Sequence, residues 1–376
     1  MDFIKFNRLY ILLAIFLVTV HIFIWANKDE SHKKDKTASL AIAKSSVSEK
    51  HDSVLKLKQQ KSETEDSLDN IFDANSVKTR EDKIKKLVDK DPKMLLLLAA
   101  INLSILFLII SGIIADISLF CNWVAGKPLN INTNRCVVPG WGLSDVLRAI
   151  LIFMSVGYAF GLGAALFSKI LNIKFLDNQN FAMIYDTAFI NIAGISVILY
   201  FMIKKHGHKL KEVGLTLENW KQNVFSAYVG YVALIPVVLC VMALTLIVIK
   251  LTGYKPPMQP IVKMFVEEKN TGILWAGVLF ASFFGPFAEE LFFRGFFYPA
   301  LKKKIGVLAS ITVTSGIFAL LHAHWVGFAP IFILGVLLAY LFERTGSLVS
   351  CIAVHVTHNM AMVLLVFVVK ALGVMG

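Results

Sequence analysis

Residues Phe287 to Gly295 read FAEELFFRG and place two carboxylates and one guanidinium inside an apolar run covering residues 272–301. A bilayer core of about 30 Å is crossed by roughly 20 helical residues, so the run is long enough to span it. A charge at the centre of such a span costs about 2.5–3.5 kcal/mol on insertion scales. A fold that keeps three of them there must pair them, wet them or use them.

The surroundings repeat the apolar theme. The chain of 376 residues is 56% hydrophobic and only 17% charged, with mean hydropathy +0.67, which excludes an ordinary soluble domain. Apolar runs at about 9–26, 94–115, 142–170, 181–203, 223–251, 272–301, 306–325, 328–342 and 347–372 approach or exceed one bilayer crossing. The fold class expected is therefore all-α: a polytopic transmembrane helical bundle of about eight core spans plus one N-terminal anchor helix. The run 328–342 is the shortest, and it is the one expected to be tilted or incomplete.

The first run follows Lys5 and Arg8 and extends from Leu9 to Ala26. It exceeds the roughly 7–15 residues of a signal-peptide core and has no A-x-A site directly after it, so residues 1–27 read as an uncleaved anchor, with a cleaved signal peptide as the alternative. Residues 28–93 break the pattern with 16 Lys/Arg, 14 Asp/Glu and Phe72 as their one aromatic residue. Without a sustained heptad they read as a solvated linker, partly helical or disordered, with a docking arm for a protein partner as the other reading. The membrane domain is expected over 94–376.

Outside the linker 22 basic and 12 acidic residues remain. That excess sits in short loops, where it reports orientation in a cell (inner) membrane rather than nucleic-acid binding. Lys204, Lys205, Lys209, Lys211 and Lys221 mark one loop, Lys302 to Lys304 a turn two spans later, and Lys127 and Arg135 a loop two spans earlier; all three are expected on the cytoplasmic face. Cys121 and Cys136 share the last of these loops and are expected as free thiols. Cys240 and Cys351 read as small packing residues, and no Cys/His spacing suggests a zinc knuckle.

Ionisable residues inside spans are functional candidates by default. Asp145 and Arg148 have the spacing of a local pair, and Asp116 and Asp186 lie near span ends. Glu289, Glu290, Arg294, His322, His355 and His358 lie deeper. At 100° per residue, Glu290 and Arg294 are about 40° apart on successive turns and can pair, while Glu289 points about 140° away from Arg294. Glu290–Arg294 thus reads as a structural ion pair, and Glu289 is left as an unpaired carboxyl suited to general acid–base work.

Depth gives a second test. Counted at 1.5 Å per residue from the basic turns, Glu289 and His322 lie about 21 and 28 Å deep, and His355 and Asn359 about 16 and 22 Å. Phe318 and His322, like His355 and Asn359, are spaced i,i+4 and share a helix face. His358 is the rival of His355, and His324 belongs at a span end. Glu289, His322, His355 and Asn359 are therefore expected in one slab of the membrane.

The ordered set Glu289-Glu290-x-x-x-Arg294, Phe318-x-x-x-His322 and His355-x-x-x-Asn359 resembles the motifs of the CPBP family, the CAAX proteases and bacteriocin-processing enzymes also called Abi proteins. The resemblance covers roughly 140–372 and includes the loop around Lys211-Glu-Val-Gly-Leu215; residues 1–93 have no counterpart in the family core. It implies peptide-bond hydrolysis within the membrane, with Glu289 and His322 activating water and His355 and Asn359 donating to the oxyanion. Glu290 and Arg294 would hold the helix, with Phe318 supporting His322.

No cofactor is expected from this reading; the alternative is Zn2+ held by Glu289, His322 and His355. Partners implied are the lipid bilayer and a membrane-embedded or membrane-associated peptide. Competing readings are a transporter with an intramembrane proton relay, which lacks a visible inverted repeat, and a catalytically idle scaffold or immunity protein.

Overall fold

The computed structural model describes residues 10, 12–19, 85, 92–126, 139–171, 178–254 and 256–372. Apart from residues 85, 92 and 93, the linker 28–93 lies outside the described residues, as do most of the anchor, Lys127, Arg135 and Cys136. The described chain is helical: α1 Pro92–Val124, α2 Leu143–Leu171, α3 Gln179–Lys205, α4 Trp220–Thr252, α5 Pro260–Glu267, α6 Thr271–Ile305, α7 Val307–Leu321, α8 Trp325–Thr345 and α9 Leu348–Ala371.

Seven of these, all but α5 and α7, are long and apolar enough to cross a membrane. Residues such as Leu103, Phe107, Ile114, Phe225 and Leu244 are exposed on the outside of the bundle. Such a surface is stable in lipid, where every backbone polar group must be satisfied within the protein.

Two expectations about spans are corrected. The run 306–325 does not form a full span, because α7 stops after 15 residues, about 22 Å of rise. His322 caps its end, Ala323 turns at φ 49°, and the His324 side chain accepts from the Gly327 N–H to start α8. Conversely, the run thought shortest belongs to the 21-residue α8. Hydropathy ran through the polar turn because flanking apolar residues outweigh two imidazoles.

The helices alternate in direction and their turns meet at two ends. At the basic end His208 Nε2 accepts from the Gly140 N–H at 3.0 Å, Lys303 donates to the Pro139 carbonyl, and the Leu348 N–H donates to the Gly214 carbonyl. The loops around Gly140, His208 and Lys303 and the α8–α9 turn therefore share one face. Asp145 pairs with Lys205 at 2.5 Å and His206 at 3.1 Å, and its sequence neighbour Arg148 is only a third contact at 3.6 Å. At the other end Asn180 donates to Glu268 and Lys370 to the Phe265 carbonyl.

A main core of Trp141, Phe201, Met202, Leu291, Phe296, Leu338, Phe342, Leu348, Cys351 and Val354 fills the basic half of the bundle. A smaller cluster around Ile184, Met264 and Phe265 closes the opposite half. Cys351 packs as expected, whereas Cys240 lies exposed on the apolar outside, and Cys121, Cys240 and Cys351 are free thiols. Pro236 within α4 cannot donate to the Val232 carbonyl one turn back. Gly112 of α1 packs there, where a Cβ would lie 2.6 Å from both the Val232 oxygen and the Pro236 ring.

α6 is wound unevenly. Phe280–Phe284 and Leu291–Phe297 are π-helical, and Gly285–Glu290 between them is α-helical. The Gly285 N–H reaches back to the Phe280 carbonyl and the Tyr298 N–H to that of Phe293. The next residues, Pro286 and Pro299, have no N–H, so neither π ladder extends further. The short α segment carrying both glutamates is thus set between two π turns, each closed by a proline.

Candidate active site

Glu290 points into the protein from α6. It is 0% exposed, and its Oε1 accepts from Arg294 Nη1 at 2.6 Å. The pair predicted from i,i+4 spacing is present even though the intervening turn is π-wound. Arg294, 1% exposed, also donates Nη2 to the Gly335 carbonyl on α8 at 3.1 Å, and its guanidinium lies 4.7 Å from the centre of the Phe318 ring. One buried cation thereby joins α6, α7 and α8. Gly335 permits the approach: a Cβ there would meet Ser315 of α7 at 3.1 Å.

The same Glu290 oxygen holds a third helix. His355 of α9, 2% exposed, directs Nδ1 to Glu290 Oε1 at 2.7 Å. A carboxylate paired with arginine accepts, so Nδ1 carries the proton and Nε2 is turned the other way. It faces Glu289, with Nε2 3.7 Å from Oε2. Helical geometry had counted Glu290 as spent on Arg294; its second role needed the α9 register, which no spacing within α6 reveals.

Glu289 stands at the wall of this site. Its Oε2 is buried and has no hydrogen-bond partner among the described residues, while the side chain as a whole is 37% exposed. An unpaired buried carboxylate oxygen opposite an oriented imidazole can take or give a proton to a molecule placed between them.

The other expected members are arranged less simply. Phe318, 1% exposed, touches both histidines, with ring centres 4.8 Å from His322 and 5.7 Å from His355. His322 hydrogen-bonds the Phe318 carbonyl through Nδ1 at 2.8 Å. It joins the site through that aromatic ring, not through a hydrogen bond to Glu289, because a helix-capping residue is drawn to the last open carbonyls. The single small pocket expected for Glu289, His322 and His355 is assembled directly only for Glu289 and His355. Asn359 directs Nδ2 to the Ala281 carbonyl of α6 at 2.8 Å. His358, the rival of His355, turns to α4 and meets Tyr231 Oη at 3.1 Å. The neighbouring Tyr228 meets Thr357 at 2.5 Å, so two tyrosines bind α9 to α4.

Among the described residues no three His, Cys, Asp or Glu side chains form a group able to hold a metal ion. Glu289, His322 and His355 are not gathered into such a group: Glu289 and His355 face each other at 3.7 Å, while His322 turns to the Phe318 carbonyl.

No curated protein and no solved structure matches the chain. The model of the type II CAAX prenyl endopeptidase Rce1-like family matches residues 271–361. That segment begins at the first residue of α6 and includes Glu289, Glu290, Arg294, Phe318, His322, His355 and Asn359. Over this segment, which is about a quarter of the chain and holds every charged and imidazole group of the site, the chain is similar to the type II CAAX prenyl endopeptidase Rce1-like family.

Proposed function

We propose that the membrane domain, residues 94–376, hydrolyses a peptide bond of a membrane-associated peptide in the cell (inner) membrane by a metal-free, glutamate-dependent mechanism. The observation that carries this reading is the 3.7 Å opposition of Glu289 Oε2 and His355 Nε2, with the imidazole held from behind by Glu290. Glu289 takes a proton from a water molecule whose oxygen attacks the peptide carbonyl carbon. The carbonyl electron pair moves to oxygen, and on collapse the C–N bond breaks while Glu289 returns the proton to the leaving amine.

His355 and Asn359 serve the oxyanion, each donor worth about 2.7–4 kcal/mol. Because Nδ1–H of His355 is committed to Glu290, Nε2 donates only from the doubly protonated ring. Asn359 has a second N–H besides the one on Ala281. His322, with Nδ1–H on the Phe318 carbonyl, offers Nε2 as an acceptor that assists Glu289. Glu290 and Arg294 supply orientation and charge balance.

The test is comparative peptide analysis of membranes from cells carrying the wild type or Glu289→Ala. Peptides that stay uncut only in the variant support the reading and name the substrate. Identical peptide patterns at equal protein levels overturn it.

A further inference from the structure

One missing hydrogen atom ahead of the glutamates has consequences on another helix. In an α-helical turn the Ala281 carbonyl would accept from the Gly285 N–H, but Gly285 donates to Phe280. In a continued π turn it would accept from residue 286, which is Pro286 and has no N–H. Neither register gives Ala281 a partner within α6. An unsatisfied backbone group inside a bilayer costs several kcal/mol, so a neighbouring helix must supply the donor. Asn359 does so, one turn beyond His355 on α9.

We propose that Pro286 is a positioning residue for the Asn359 amide. By withholding an N–H it reserves the Ala281 carbonyl for one N–H of Asn359, which fixes the amide plane and leaves the second N–H aimed as an oxyanion donor. This rests on the role given to Asn359 under the proposed function. Pro286 also occupies the first turn of Gly285–Glu290, where proline is well tolerated. If helix initiation were its whole role, Pro286→Ala would be close to neutral, because alanine is the better helix former.

The experiment uses the full chain in nanodiscs with 15N-labelled asparagine side chains, the Asn359 signal being assigned by its loss in Asn359→Ala. Turnover is read on synthetic copies of the peptides left uncut in Glu289→Ala membranes. Pro286→Ala is expected to move the Asn359 amide signal toward the position of a water-exposed amide. It is also expected to lower kcat by roughly 10- to 100-fold with KM unchanged. Lactic acid at position 286, which again lacks an N–H, restores both readouts and separates the missing donor from any folding defect. In the Asn359→Ala background, itself slower by about 10²- to 10³-fold, Pro286→Ala adds nothing. An amide signal unmoved by Pro286→Ala, an equal kcat loss in both backgrounds, or no restoration by lactic acid overturns the proposal. Full turnover by Asn359→Ala, with the signal still moved by Pro286→Ala, overturns instead the oxyanion role on which the proposal rests.

Discussion

Glu290→Gln keeps the size of the side chain and removes its charge, and the structure sets what that costs. Oε1 accepts from Arg294 at 2.6 Å and His355 at 2.7 Å, with both partners almost fully buried. Hydrogen bonds to charged groups contribute about 1.5–3 kcal/mol each. Removing one partner of a buried ion pair costs about 3–5 kcal/mol, because the other charge is left uncompensated. Arg294 keeps the Gly335 carbonyl and the Phe318 ring, which limits the loss. We expect destabilisation of about 4 kcal/mol, a fall in melting midpoint of roughly 10 °C for a domain of this size.

A second effect is independent of the first. Without a full carboxylate behind it, His355 is no longer held toward Glu289, and loss of such an orienting partner typically reduces activity about 10- to 100-fold. Melting in detergent by tryptophan fluorescence gives the stability term, and kcat per folded molecule gives the catalytic one. Arg294→Met is the control: it sacrifices similar stability but keeps the Glu290–His355 bond, so its folded fraction turns over faster than that of Glu290→Gln. A Glu290→Gln protein that melts within about 2 °C of wild type, or whose folded fraction has normal kcat, would refute the view that one buried oxygen both fastens α6 to α9 and aims the imidazole.

Glu289→Gln is expected to abolish turnover while leaving the melting midpoint near wild type, since Oε2 has no hydrogen-bond partner to lose; an active Glu289→Gln protein would remove this residue from the chemistry. Phe318→Ala removes a ring packed on Phe293, Arg294 and both histidines and should cost about 3–5 kcal/mol in stability, measured by thermal melting. Protein purified without chelators should cleave equally well with and without EDTA; stoichiometric zinc whose removal stops cleavage would reverse the metal-free mechanism.

Much of this protein was written in its sequence. Apolar run length fixes a helical membrane bundle, because lipid offers the backbone no other partner. The i,i+4 spacing of Glu290 and Arg294 fixes their pairing, since neighbours on one helix need no tertiary contact to find each other. Loop lysines grouped the turns around His208 and Lys303 on one face before any contact between them was visible.

What tertiary structure alone decided are the relations between helices. That Glu290 serves His355 as well as Arg294, that His358 turns to Tyr231 while His355 turns to the glutamates, and that Asn359 answers Ala281 all depend on the axial register of α9. The place where α7 stops depends on a carbonyl captured by His322 and a cap supplied by His324. Spacing within one chain segment specifies angles around its own helix axis; the slide and rotation of one helix against another are settled by side-chain packing and by which orphaned backbone groups find donors, and neither can be read from periodicity.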